Sequence, residues 1–86
     1  HDLSQGRIVT FSIMINDRPG ELSQVLNIVA GNNASILTIN QGIPLQGLAN
    51  VTMSIETKNM KVTVEELMKM LMKQPGINTV KRIGQT

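Results

Sequence analysis

Ile13-Met-Ile-Asn-Asp-Arg-Pro-Gly-Glu-Leu22 decides how this chain is read. An alternating apolar run ends at Ile15. Asn16, Asp17, Arg18, Pro19 and Gly20 then supply turn chemistry, and a helical pattern begins at Glu21. The stretch therefore reads as strand, tight turn, helix. Its turn presents backbone N–H groups at a helix N-terminus, a place that favours a carboxylate or another anion. Asp17 is the expected N-cap, because its carboxylate can accept from orphan amides of the first turn. Pro19 fits inside that turn, where a missing donor costs nothing. Gly20 has no Cβ, so a ligand or another backbone can come close. The same residues also suit a plain strand-to-helix connection that binds nothing.

Upstream, Arg7 to Ile15 alternates. Val9, Phe11, Ile13 and Ile15 point one way, and Ile8, Thr10, Ser12 and Met14 the other, as in a strand with one apolar face. His1-Asp-Leu-Ser-Gln-Gly6 has no periodicity and is expected to form a disordered tail, leaving residues 7–84 as the domain. The chain opens on His1 rather than Met, as a fragment or a processed product does.

Downstream, Leu22, Val25, Leu26 and Val29 fall at helical spacing, with Ala30 widening the stripe and Ile28 off it. Gly31-Asn-Asn33 is the expected stop, since Gly and Asn tolerate the left-handed conformation. Ala34 to Gln41 is a second strand whose faces are less distinct. Asn40 and Gln41 at its end could reach a ligand or a partner strand, or simply be edge residues. Ile43 and Leu45, apolar in a loop broken by Gly42, Pro44 and Gly47, hint at packing against something. Leu48 to Glu56 alternates with Val51, Met53 and Ile55 inward, and pairs with the strand before it as a hairpin. Thr63-Val-Glu-Glu66 is a capping box. Val64, Leu67, Met68, Leu71 and Met72 then repeat at helical spacing, and Glu65 and Lys69 form an i, i+4 pair. Gln74-Pro-Gly76 ends this helix. Ile77 to Ile83 is a last strand whose imperfect alternation suggests a bulge or an edge.

The order β-α-β-β-α-β predicts an α+β fold, the ferredoxin-like sandwich: a four-stranded antiparallel sheet with two helices on one face. The right-handed crossover rule puts the first and third strands in the middle. The second and fourth are then edges, weakly guarded by charge and open to pairing with another chain. At 86 residues the chain is one domain. A chain of this size buries about 60–65% of its unfolded surface and gains from a partner.

Composition removes several functions. There is no cysteine, hence no disulfide, thiolate metal site or cysteine nucleophile. The histidine is His1, in the tail, and the carboxylates Asp2, Asp17, Glu21, Glu56, Glu65 and Glu66 make no catalytic pair by spacing. No phosphate loop, metal-ligand cluster or cofactor motif is present. The methionines Met60, Met68, Met70 and Met72 lack a second ligand type and read as helix-core filler. Phe11 is the one aromatic residue and the net charge is +2, so no stacking platform for nucleic acid can be built. No apolar run reaches the length of a membrane span and no signal-peptide pattern occurs. A cytoplasmic, non-enzymatic chain with no nucleic-acid or membrane partner is the expectation.

Asn16-Asp-Arg-Pro-Gly-Glu-Leu22 after a strand, with Asn33-Ala-Ser-Ile36 opening the next, resembles the ACT domain. The resemblance runs from about Arg7 to Ile83, and its nearest form is the short bacterial ACT protein of the PheB type, which carries an extra N-terminal segment. It implies a regulatory module linked to amino-acid metabolism that binds an amino acid and forms homodimers or higher oligomers through edge strands. By the resemblance, the turn Asn16, Asp17, Arg18, Pro19, Gly20 and Leu22 of one chain holds the ligand. Second-strand residues of the partner, Ser35, Asn40 and Gln41, complete the site. Asp17 and Ser35 stand where serine-binding members often carry Asn, and Ile15 where they can carry a polar side chain. Two alternatives stand beside sensing. One is a dimerisation module without ligand. The other is the non-catalytic part of a chorismate-mutase-like or prephenate-dehydratase-like protein.

Overall fold

A computed structural model of the chain describes residues 7–85. Strand β1 spans Ile8–Asn16, helix α1 Glu21–Gly31, β2 Ser35–Gln41, β3 Leu48–Glu56, helix α2 Val64–Met72 and β4 Ile77–Gln85. The four strands form one antiparallel sheet in the order β2-β3-β1-β4. The fold is the expected ferredoxin-like sandwich, with β1 and β3 central. The expected tail, residues 1–6, lies outside the described residues.

Period-2 alternation builds the core. Val9, Phe11, Ile13 and Ile15 of β1 are buried beside Ala49, Val51, Met53 and Ile55 of β3. Val25 and Val29 of α1 and Leu67 and Leu71 of α2 close over them, so both helices cover one face. Leu22, Leu26 and Ile28 are partly buried around this centre, whereas Ala30 is exposed and does not widen the stripe as expected. The opposite face is knitted by side chains. Thr10 Oγ1 and Ser54 Oγ lie 2.8 Å apart, and Ser12 Oγ donates to Asn50 Oδ1 at 2.9 Å.

The edges are irregular. Along β4 the register against β1 shifts between Thr10 and Phe11 and between Met14 and Ile15, leaving Ile83 and Asn78 as extra residues. These bulges account for the broken alternation. Along β2 the shift against β3 falls between Ile36 and Thr38, at Leu37. Apart from half-buried Ile36, every residue of β2 is exposed. The hairpin from β2 to β3 closes through Leu45 and Leu48, whose backbones exchange hydrogen bonds of 2.8 and 3.1 Å. Gln46 and Gly47 between them both have positive φ, 54° and 79°, as a type I′ turn requires. Ile43 and Leu45 on this tip are 93% and 75% exposed, so the chain covers little of either.

Helix α2 starts as the sequence indicates. Glu66 N donates to Thr63 Oγ1 at 3.1 Å and Thr63 N to Glu66 Oε1 at 2.8 Å. The backbone amide and the hydroxyl of Thr63 hold the Glu66 carboxyl below its ordinary range. Glu65 does not pair with Lys69; its Oε2 lies 3.3 Å from Arg82 Nη1 on β4.

Candidate functional site

The end of β1 is held from both sides. Asn16 N donates to Gly76 O at 2.8 Å and Asp17 N to Gly47 O at 2.9 Å. Asn78 Nδ2 donates to Asn16 Oδ1 at 3.0 Å. The turn is thus braced by the start of β4 and by the hairpin tip, and both braces come from far along the chain. Arg18 N folds back to Asn16 O at 2.9 Å, and Glu21 N donates to Arg18 O at 3.3 Å.

Asp17 is not the N-cap. Its amide is tied to Gly47, and the cap position falls three residues later, at Gly20, whose φ of 88° is left-handed. Gly20 turns the chain sharply into α1, a conformation that costs a side-chain-bearing residue energy and glycine little. Glycine has no side chain with which to cap, and none from elsewhere replaces it. Pro19 accordingly precedes the cap instead of lying within the first turn. Space is not what keeps Gly20 a glycine, because a Cβ there would meet nothing within 4 Å.

Two consequences follow for the helix start. Among the described residues, the amides of Gly20, Leu22 and Ser23 have no hydrogen-bond acceptor. They lie at the positive end of the α1 dipole, where an anion is favoured. A cleft of about 330 Å³ opens beside them, lined by Pro19, Gly20, Glu21, Gln24, Pro75 and Gly76.

The acidic group nearest this start belongs to the chain itself. Glu21 turns its side chain down onto Gly76, where an added Cβ would overlap the carboxylate. The side chain is 15% exposed, and its Oε2 lies 3.3 Å from Arg18 Nη2, while Arg18 is 61% exposed. Gly76 does not have a positive φ. Its missing Cβ makes room for Glu21, a function that no local pattern around residue 76 could announce.

The sequence-selected residues divide by place. Asn16, Asp17, Arg18, Pro19, Gly20 and Leu22 come together at the turn. Asn40 and Gln41 are at the same end of the sheet, opposite Thr52 and Val51, but on its outer edge. Ser35 faces Glu56 at the other end and does not approach the turn within this chain. Glu21, Gln24, Pro75 and Gly76, which line the cleft, were not singled out by sequence reasoning. Among the described residues, no group of three or more His, Cys, Asp or Glu could hold a metal ion, and no helix is long and apolar enough to cross a membrane.

The ACT domain family model matches residues 4–82. The chain is 46% identical over 83 residues to a UPF0735 ACT domain-containing protein of Carboxydothermus hydrogenoformans, a match that takes in 96% of this chain and 57% of that relative. A namesake in Desulforamulus reducens is 46% identical over 85 residues, with 99% and 57% of the two chains covered. This chain thus spans little more than half the length of these relatives. Among solved structures, the ACT domain from GTP pyrophosphokinase of Chlorobium tepidum superposes with a TM-score of 0.73 at 24% identity, over 91% of this chain and 99% of that one. The C-terminal domain of the MgtC protein from Mycobacterium tuberculosis shares the fold at a TM-score of 0.65 and 17% identity, over 96% and 90%. The turn, the sheet order, the matched family model and the close relatives agree: the chain belongs to the ACT-domain family of small regulatory modules.

Proposed function

We propose that residues 7–84 are a cytoplasmic sensing module. It binds an amino acid at a seam between two copies of the chain and passes that occupancy to amino-acid metabolism. The observation that carries this reading is the start of α1: amides of Gly20, Leu22 and Ser23 without acceptors, no side-chain cap, and a cleft alongside. A ligand carboxylate suits such a place.

The position of Ser35 favours a second copy. It lies at the wrong end of β2 to help its own turn. If two β2 edges pair antiparallel, the strand direction reverses, and Ser35 of the partner subunit moves toward the turn end, near Asn40 and Gln41. The edge offers exposed Leu37 and Ile39 for such pairing, at 49% and 41% exposure. The chain itself performs no reaction in this reading.

Titration calorimetry of the chain against the twenty amino acids at millimolar concentration tests the ligand, and sedimentation tests the pairing. Heat with one amino acid or a small group, together with a dimer, is the expected outcome. The exposed apolar residues of β2 and the hairpin tip also favour a second reading, a dimerisation module that binds no ligand. A dimer that gives no heat with any amino acid would establish that second reading instead.

A further inference from the structure

Charge divides the molecule into two halves. From Leu22 to Ile55 no residue is charged, so α1 beyond Glu21, all of β2, the hairpin, and β3 up to its last residue carry no charge. The other half carries Glu65, Glu66 and Lys69 on α2 and Lys81 and Arg82 on β4. Helix α1 lies against β1 and β2, and α2 against β4, so the uncharged half ends at the β2 edge. Leu37 and Ile39 of β2 and Ile43 and Leu45 of the hairpin tip are exposed along that edge, whereas Ile83 on the β4 edge follows two cations. An edge strand left to solvent is commonly guarded by charge, and the centre of a protein interface is depleted of it. The unguarded edge of a chain with net charge +2 suits a second copy, because about a two-fold axis this surface meets itself without repulsion.

We infer that the tip of the β2–β3 hairpin is an arm, received by a second copy of the chain over that copy's corner between α1 and β2. The inference rests on the antiparallel pairing of β2 edges read above and adds what the tip does in it. With the pairing centred on Thr38, the middle of Ser35–Gln41, residues equally far from Thr38 on either side lie opposite each other. Gln41 then faces Ser35 of the partner subunit, and Leu45 runs on to the level of the partner's Gly31. That corner offers Ala30, Gly31 and Asn33, all exposed and none large, so another backbone can come close. A Cβ at Gly31 would meet nothing within 4 Å. The arm is held from behind by its own chain, through the bond of 2.9 Å from Asp17 N to Gly47 O and the backbone bonds between Leu45 and Leu48. It therefore needs little ordering on contact. Lys61 borders the corner, its amide donating to Asn32 O at 2.9 Å, and its charge favours an apolar arm over a cationic one.

Sedimentation of the intact chain over a concentration series measures the pairing. Wild type should dimerise, and Ile43→Lys and Leu45→Lys should each weaken the dimer by about tenfold or more, since each puts a cation into the seam. Ile83→Lys, on the β4 edge, should leave the dimer as it is. A wild-type dimer that neither tip variant weakens would overturn the arm and leave the β2 pairing standing. A wild-type monomer at every concentration would overturn both, as would a dimer that Ile83→Lys alone disrupts. A second test uses the absence of cysteine from the chain. Gly31→Cys combined with Leu45→Cys places thiols beyond opposite ends of β2, about 20 Å or more apart along the strand, so they cannot join within one chain. Mild oxidation should then link two copies covalently, well above the level reached with Gly31→Cys alone or Leu45→Cys alone. Linkage no greater than in the single variants, from a protein that sediments as a dimer, would also overturn the arm.

Discussion

The two helices begin in opposite ways. Helix α2 is capped by its own residues: Thr63 and Glu66 each satisfy the other's amide, and the amides of Val64 and Glu65 between them have no acceptor among the described residues. Helix α1 is opened by Gly20, whose left-handed φ starts the helix and whose missing side chain supplies no cap, so the amides of Leu22 and Ser23 have no acceptor among the described residues. Both starts sit over the same sheet, and each helix buries two residues completely, Val25 and Val29 in one and Leu67 and Leu71 in the other. Packing is therefore shared and end chemistry is not. A helix start with a reciprocal side-chain cap serves stability. One left open while its flanks are firmly braced is suited to receiving something from outside.

Substitutions can break or sharpen that contrast. Leu67→Ala should have the largest effect, about 2–5 kcal/mol in denaturant unfolding, because the side chain is fully buried. It sets the scale of packing against which the helix starts are compared. Gly20→Val comes next. It forces a β-branched residue into the left-handed region and should cost about 1–2 kcal/mol through that backbone strain, since a Cβ there meets no neighbouring group. Thr63→Ala should cost about 1 kcal/mol by uncapping α2, while Asp17→Ala should stay within about 0.5 kcal/mol. Equal losses at Thr63 and Asp17 would mean that the two starts do not differ as described.

The smallest effect is in acid. The Glu66 carboxyl is held below its ordinary value of 4.5 by Thr63. A carboxyl whose folded pKa is depressed stabilises the fold above its unfolded pKa and loses that contribution as pH falls through the folded one. The Glu66 contribution should thus be complete above 4.5 and fade below it. Stability–pH curves of wild type and Glu66→Gln should converge on the acid side of that value and separate above it. Parallel curves would dissociate the capping box from the acid response.

Much of the fold was legible because its signals are local. Alternation from Val9 to Ile15 marked the buried face of β1 residue by residue, and Thr63 and Glu66 announced their own helix. Asp17 was misread for a physical reason. Its position looks like a cap until the left-handed turn at Gly20 and the bond from Asp17 N to Gly47 O shift the helix start onward. Ala30 and the Glu65–Lys69 pair failed similarly: spacing fixes which residues share a helix face, not what the sheet lays over that face or offers as a rival partner such as Arg82. At the site, the turn residues were readable and its walls were not. Gln24, Pro75 and Gly76 line the cleft only because β4 returns beside β1, a neighbourhood that exists in space and in no stretch of sequence.

Strand β2 bonds to β3 on one flank alone, and every residue of it but Ile36 is exposed. In heavy water its outward amides should take up deuterium early, while those of β1 and β3 wait for the whole sheet to open. The sequence in which strands acquire the isotope is therefore a clock for what lies along that flank. A β2 that ran slow would reveal a strand from another molecule laid against it.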